Sequence, residues 1–306
     1  MVADAQYIHS PGKLMLTGEY FVLDGAKTLA VPTVLGQSFQ CIEEQNTVPL
    51  LIWNAYHLEK LWLSFTVNYR TWEIIATNDI EATDFIVNTL KIIQKKSKTK
   101  LQENIQYSIS TRLEFPSDYG LGSSSTLMTN LGKWANIDAF ELNAQALGGS
   151  GYDIAVAICQ KPIIYALKAQ KPIYTEVQFS PTFRDEIIFI HLGKKQNSRE
   201  GIKKYRTKEK SEKLILQIND LTEETLLCDD IATFSELMVQ HENIVSHFLE
   251  IPTAKALLFP ECPVFIKSLG AWGGDFVMSR KFNGYQDYFA SKNITTILDW
   301  KTLIKE

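Results

Sequence analysis

The densest chemical signal in the chain is the run Tyr119-Gly120-Leu121-Gly122-Ser123-Ser124-Ser125-Thr126-Leu127. Two glycines permit a tight backbone whose N–H groups turn outward. Three hydroxyl residues follow, at the point where an apolar helical pattern begins. The first turn of a helix offers N–H donors and a partial positive charge. Together these features can cradle phosphate. A hydroxyl at that point can also reach a metal ion that bridges nucleotide phosphates. Taken alone, the run also fits an ordinary helix cap behind a flexible loop. It matches neither G-x-x-x-x-G-K-[ST] nor G-x-G-x-x-G, so Walker-type and dinucleotide-binding readings fail. No H-R-D or D-F-G run is present either, which excludes the protein-kinase pattern.

Three further glycine clusters carry polar residues. In Ser10-Pro11-Gly12-Lys13-Leu14-Met15-Leu16-Thr17-Gly18-Glu19-Tyr20, a lysine and a glutamate stand among glycines near a strand. Lys13 can neutralise developing negative charge; a surface lysine in a turn is the plainer reading. In Gly148-Gly149-Ser150-Gly151-Tyr152-Asp153 the glycines predict backbone packed tightly against something. An aspartate held there can orient or deprotonate a hydroxyl, or simply cap the helix that follows. In Lys267-Ser268-Leu269-Gly270-Ala271-Trp272-Gly273-Gly274-Asp275 the glycines form either a turn between strands or a backbone that must approach a ligand. The stretch Lys194–Tyr205, with Ser198 and Arg199, can meet an anionic substrate, since arginine pairs with carboxylates and phosphates. It reads equally well as a solvated basic loop.

These clusters must be positioned by regular elements. Gln6 to Val34 predicts short strands joined by glycine turns, with further strands at Ser38–Glu43, Leu50–Trp53, Leu61–Asn68 and Ile105–Leu113. Thr83–Lys95 has helical periodicity, and an apolar helix starts near Ser124. Strands follow at Pro162–Leu167, Ile173–Phe179 and Glu186–Leu192. Residues Lys210–Leu258 predict two or three helices. Val264–Leu269 and Phe276–Ser279 flank the last glycine cluster, and the tail carries a helix at Tyr285–Ala290 and a strand at Thr295–Trp300. This order predicts an α+β protein of two domains, with a boundary near residue 170: 1–170 and 171–306.

The 306 residues carry a net charge of −4 and are 45% hydrophobic. That is the composition of a globular chain with ample core, and it offers no electrostatic support for a nucleic-acid or membrane-surface role. No apolar run approaches the ~20 residues of a membrane span and no signal peptide is visible, which predicts a cytoplasmic protein. Cys41, Cys159, Cys228 and Cys262 form no paired motif and read as reduced thiols. His241 and His247 lack the pattern of a zinc site and read as surface or packing residues.

The order and spacing of the clusters resemble the GHMP kinases, the superfamily of galactokinase, homoserine kinase, mevalonate kinase and phosphomevalonate kinase. Pro11-Gly12-Lys13 through Gly18-Glu19 and Gly25 resembles the first motif. Gly120-Leu121-Gly122-Ser123-Ser124-Ser125 is similar to the second, the phosphate loop. Ser268 through Gly274 resembles the third. The form Ser-Gly-Tyr-Asp leans toward the mevalonate and phosphomevalonate branch.

The resemblance implies two domains: an N-terminal one like the second domain of ribosomal protein S5, and a C-terminal ferredoxin-like α/β sandwich. It implies an ATP- and Mg²⁺-dependent kinase acting on a metabolite hydroxyl or phosphate, with mevalonate or phosphomevalonate foremost. An ATP-dependent diphosphomevalonate decarboxylase and a non-catalytic sensor are the alternatives. It implies Asp153 and Lys13 as the catalytic pair. Gly120, Leu121, Gly122, Ser123, Ser124 and Ser125 would bind ATP. Ser124 would hold Mg²⁺, with Glu141 as a candidate second ligand. Glu19, Gly151, Ser198, Arg199, Gly270, Gly273 and Gly274 would line the substrate or support the loops. The partner is a small molecule, on a monomer or homodimer. Tyr20 departs from the family's histidine, and Trp272 from its run of small residues.

Overall fold

Alternating apolar side chains predict strands here, and 3.6-residue periodicity predicts helices. The computed structural model describes residues 4–193, 198–270, 272 and 274–306. In chain order the elements are β1 (Asp4–Met15), β2 (Thr28–Gln45), β3 (Leu50–His57), β4 (Lys60–Asn68), β5 (Glu73–Thr77), α1 (Ile80–Lys96), β6 (Ile105–Leu113), α2 (Ser123–Ala135), α3 (Ala139–Ala146) and α4 (Tyr152–Cys159). They continue with β7 (Ile163–Lys168), β8 (Lys171–Glu176), β9 (Ile187–His191), α5 (Ser198–Arg206), α6 (Glu212–Leu227), α7 (Ile231–Leu249), α8 (Ala254–Leu258), β10 (Ile266–Leu269), β11 (Phe276–Arg280), α9 (Tyr285–Ser291), β12 (Ile297–Asp299) and α10 (Trp300–Leu303). Among the described residues, no helix is long and apolar enough to cross a membrane.

The chain folds as two compact units that interleave. The first takes the residues up to Gly12, Leu35–Ser117 and Gly122–Ile158. The second takes Lys13–Val34, Asp118–Leu121 and Cys159–Glu306. This division differs from the contiguous one expected at residue 170. The physical reason lies in β2, an 18-residue strand whose first half belongs to one unit and second half to the other. The expectation of short strands before Val34 also yields to two long ones. Gly18 and Gly25, at φ 86° and 93°, frame the tight turn that separates them.

In the first unit the strand order is β5-β4-β3-β6-β2. β3 and β6 run parallel, with Trp53 opposite Ile109; the other pairs are antiparallel. Tyr107, Ile109, Thr111 and Leu113 of β6 alternate inward. Tyr107 and Ile109 join residues of α1, α2 and α3 in a core that includes Phe39, Trp53, Leu90, Leu131 and Trp134. Trp53 stacks on Phe65 at 5.9 Å, and Tyr107 meets Trp134 edge-on at 5.7 Å. Helix α3 was not expected. Asp138 caps it by accepting from Phe140 N–H and Glu141 N–H, a signal legible in the sequence once the helix is known.

In the second unit the start of β2 pairs with β7, and β7 with β8. A separate antiparallel sheet runs β10-β11-β9-β12. β9 is buried along its whole length. Helices α6 and α7 begin at side-chain caps, Ser211 and Asp230. Phe21, Tyr205, Ile218, Val245, Leu249 and Trp272 share one apolar cluster. The stretch Lys194–Tyr205, open between a contact for an anionic substrate and a solvated basic loop, contains α5 from Ser198 onward, so Lys203 and Lys204 lie on a helix.

Candidate active site

The glycine-serine run is built by both ends of its chain path. Its first part, Asp118–Leu121, belongs to the second unit. There Lys13 brackets it twice: its backbone N–H donates to Leu121 O at 3.0 Å, and its ammonium donates to Gly120 O at 2.9 Å. Tyr119 is clasped between the His191 ring at 4.6 Å and the Phe276 ring at 5.1 Å. Gly120 has φ 66°, and a Cβ there would stand 2.3 Å from Asp275 Oδ2. Only glycine therefore fits, for conformational and steric reasons at once.

The second part of the run opens α2 in the first unit. Gly122 is the N-cap, with φ 90° and no side chain to supply a capping hydrogen bond. The N–H groups of Ser123, Ser124 and Ser125 thus begin the helix without a capping side chain. Ser125 Oγ turns back to Gly122 O at 2.8 Å, and Thr126 Oγ1 donates to Gln37 Oε1 at 2.8 Å. Asn130 donates to Gln37 O at 2.9 Å. These bonds tie the helix start to β2. Ser124 is the exposed hydroxyl of the three. An uncapped helix start with a free-standing hydroxyl has the chemistry of an anion site.

Within the same unit, Gly148, Gly149 and Gly151 have φ of 78°, 97° and 81°. Nothing lies within 4 Å of a Cβ placed at Gly148 or Gly149. The expected close packing is absent at these two positions; left-handed backbone is what asks for glycine there. Asp153 follows in the first turn of α4. Its carboxylate is half-buried and accepts from Ile154 N–H at 3.0 Å. That bond leaves its second oxygen able to take a proton or orient a hydroxyl.

No protein-family profile matches the chain, and no curated protein matches it either. Solved structures do. Mevalonate kinase of Methanococcus jannaschii superposes with a TM-score of 0.71 at 16% identity, covering 100% of both chains. Phosphomevalonate kinase of Streptococcus pneumoniae, in complex with phosphomevalonate and AMPPNP, gives 0.70 at 14% identity over 96% of this chain and 99% of that one. Galactokinase of Lactococcus lactis, complexed with galactose, gives 0.59 at 13% identity over 94% and 88%. The chain has the GHMP kinase fold. At these identities the likeness is one of architecture, and it agrees with the α+β class expected from the sequence.

Several residues of this GHMP fold escaped the sequence reading. Glu19 is buried, and it is not alone. Lys267 Nζ donates to Glu19 Oε1 at 2.6 Å, and His241 Nε2 stands 3.1 Å from Glu19 Oε2. The Gly18 N–H donates to His241 Nε2 at 2.8 Å, so the imidazole keeps its proton on Nδ1. Glu242 accepts from both Ser268 N–H, at 3.0 Å, and Ser268 Oγ, at 2.9 Å. Despite burial, the Lys267 charge holds the Glu19 carboxyl down at about 2. Burial and the Lys267 charge push the His241 pKa down, and burial pushes Glu242 up. The signal that could have found this cluster is Lys267 itself, a lone cation inside the apolar run 264–269, which must find a partner when buried.

Tyr20, at φ 64°, accepts the Trp272 N–H at 3.1 Å and stacks on Tyr205 of α5 at 6.0 Å. A Cβ at Gly201 would stand 2.3 Å from the Tyr20 hydroxyl, so α5 can seat there only through a glycine. Both departures from the family pattern, Tyr20 and Trp272, are therefore one contact. Gly270 has φ 69°, and Gly274 is buried. Gly273 and the side chains of Ser198 and Arg199 lie outside the described residues. Glu141 is on α3, paired with Lys96 at the surface. Among the described residues no group of three or more His, Cys, Asp or Glu side chains clusters as a metal site would.

Proposed function

We propose that the chain is an ATP-dependent small-molecule kinase that phosphorylates a small acid of the mevalonate or phosphomevalonate kind. The carrying observation is the uncapped start of α2, with Gly122 left-handed and Ser124 exposed, in the same unit as Asp153. The first-turn N–H groups suit the phosphates of a nucleotide. The Ser124 hydroxyl suits Mg²⁺, which keeps most of its waters and needs few protein ligands. When bound, ATP·Mg²⁺ supplies the transferable phosphoryl group and neutralises its developing charge.

Phosphoryl transfer asks the protein chiefly for positioning and charge. Asp153 orients the acceptor oxygen, and takes the proton where that oxygen is a hydroxyl, as the new O–P bond forms and ADP departs. The α2 amides hold the phosphates while charge shifts to the leaving oxygen. Lys13 fixes the start of the loop through the Gly120 carbonyl and adds positive charge. The resemblance to phosphomevalonate kinase bound to phosphomevalonate and AMPPNP supports an anionic acceptor.

The test is ADP release with mevalonate, phosphomevalonate, galactose and homoserine as acceptors, with CO₂ measured alongside. We expect turnover with one of the two mevalonate compounds and no CO₂. Asp153→Asn should lower that turnover by about 10²–10⁴-fold while AMPPNP still binds. CO₂ release would assign the decarboxylase reaction instead. A folded protein that binds no AMPPNP would end the kinase reading.

A further inference from the structure

Four ionisable side chains, Glu19, His241, Glu242 and Lys267, lie 0–2% exposed in the second unit. Such a network is weak as a source of stability, because desolvation offsets most of the attraction; apolar residues of the same volume would serve a core as well. Its geometry suggests another purpose. Two chain segments grip Gly120. One carries Lys13, whose ammonium meets the Gly120 carbonyl. The other carries Asp275, whose carboxylate packs against the Gly120 α-carbon. Each segment is continuous with the buried network. β1 carries Lys13 and leads to Gly18 and Glu19. β10 carries Lys267 and Ser268 and leads to Gly270 and Asp275.

Helix α7 stands between these two segments. Successive helical residues diverge by about 100°, and here each neighbour takes one segment. His241 Nε2 takes the Gly18 N–H at 2.8 Å. Glu242 takes both donors of Ser268, and more weakly the Ala254 N–H at 3.4 Å. Lys267 closes the circuit. Its ammonium donates to Glu19 Oε1 at 2.6 Å and to Ser268 O at 2.5 Å. Hydrogen bonds and charge thus set the register of both segments, where apolar packing alone would allow them to slide.

We propose that His241, Glu242 and Lys267 are positioning residues for the phosphate loop: a buried ionic network that fixes the two segments holding Gly120. This rests on the kinase reading for its catalytic consequence, but not for its structural one. None of the three touches substrate; they act through Lys13, Asp275 and the loop backbone.

Four variants test it: His241→Gln, Glu242→Gln, Lys267→Met, and Lys267→Met combined with Glu19→Gln, which removes the buried ion pair as a unit. Thermal unfolding identifies which of them fold. On those, kcat and acceptor KM are measured with the acceptor that supports ADP release, and AMPPNP affinity is measured by calorimetry. Hydrogen exchange is followed at residues 118–121. The expected result is a fall in kcat on the order of tenfold to a hundredfold with acceptor KM little changed, together with faster exchange at 118–121. A folded variant with wild-type kcat and wild-type exchange at 118–121, even one that melts earlier, would reduce the network to a core feature and overturn the proposal. If the wild-type protein neither binds AMPPNP nor releases ADP, the kinase reading falls by itself. Exchange at 118–121 in the folded variants then decides the positioning role.

Discussion

Gly120 is the residue on which most of the loop's geometry converges. Its left-handed backbone and the Asp275 carboxylate beside it leave no room for a methyl group. Gly120→Ala should cost about 1–2 kcal/mol from the backbone alone, and more from the collision. Replacing Asp275 with Gly in the same chain should recover the collision part but not the backbone part. Denaturant midpoints of the two singles and the double give the coupling directly. Additive effects would mean that Asp275 does not press on Gly120. The cysteines offer a second check on individual residues. Cys41 is buried, and its thiol is pushed up to about 12; Cys262 is buried as well. Iodoacetamide should leave both unmodified in the folded protein while Cys159 and Cys228, partly exposed, react. Peptide mass spectrometry before and after denaturation reads this out. Labelling of Cys41 in the native state would contradict the core.

Among the elements, α5 gives the sharpest case. Alanine normally favours a helix interior over glycine by about 1 kcal/mol. Gly201→Ala should nevertheless destabilise the protein, because the new methyl meets the Tyr20 hydroxyl. With Tyr20→Leu in the same chain, the sign should reverse and Gly201→Ala should stabilise. Urea midpoints across the cycle decide it; stabilisation in the wild-type background would show that α5 does not rest on Tyr20. The same helix marks the limit of reading by pattern. Strands β3, β4, β6 and β7 and the helix at Ser123 were legible, since alternation, periodicity and the glycine-serine punctuation are local properties; β5, five mostly exposed residues at the sheet edge, was not. Helix α5 was not legible because charged residues dominate its composition and its apolar contacts, Ile202 and Tyr205, pack on partners distant in sequence. The candidate loop was legible for the same local reason. Lys267, His241 and Asp275 were not, because each acquires its meaning from a neighbour that only the fold supplies, as with Lys267 and Glu19, 248 positions apart.

For the molecule as a whole, the buried network predicts how stability responds to acid. His241 is held neutral in the fold, its pKa pushed below the ordinary 6.5. The unfolded chain therefore binds a proton there that the folded chain refuses. Stability contributed by this residue is present above pH 6.5 and drains away as pH falls below it. Glu19, held at about 2 against an ordinary 4.5, loses its contribution lower down, as pH falls from 4.5 toward 2. Wild-type protein should thus weaken more between pH 7 and pH 5 than His241→Gln does. Denaturant melts at the two pH values measure the difference; equal slopes would mean that His241 is charged in the fold.

The interleaving of the two units has a bearing on biosynthesis. Phe21, Val22, Leu29, Ala30 and Val31 are all buried in the second unit. They leave the ribosome with the stretch 13–34, yet the bulk of their unit begins only at Cys159. At ~10 residues per second, that apolar segment waits roughly ten seconds for its partners. A nascent chain arrested near residue 158 should therefore be a ready client for chaperones, and one released at full length should not.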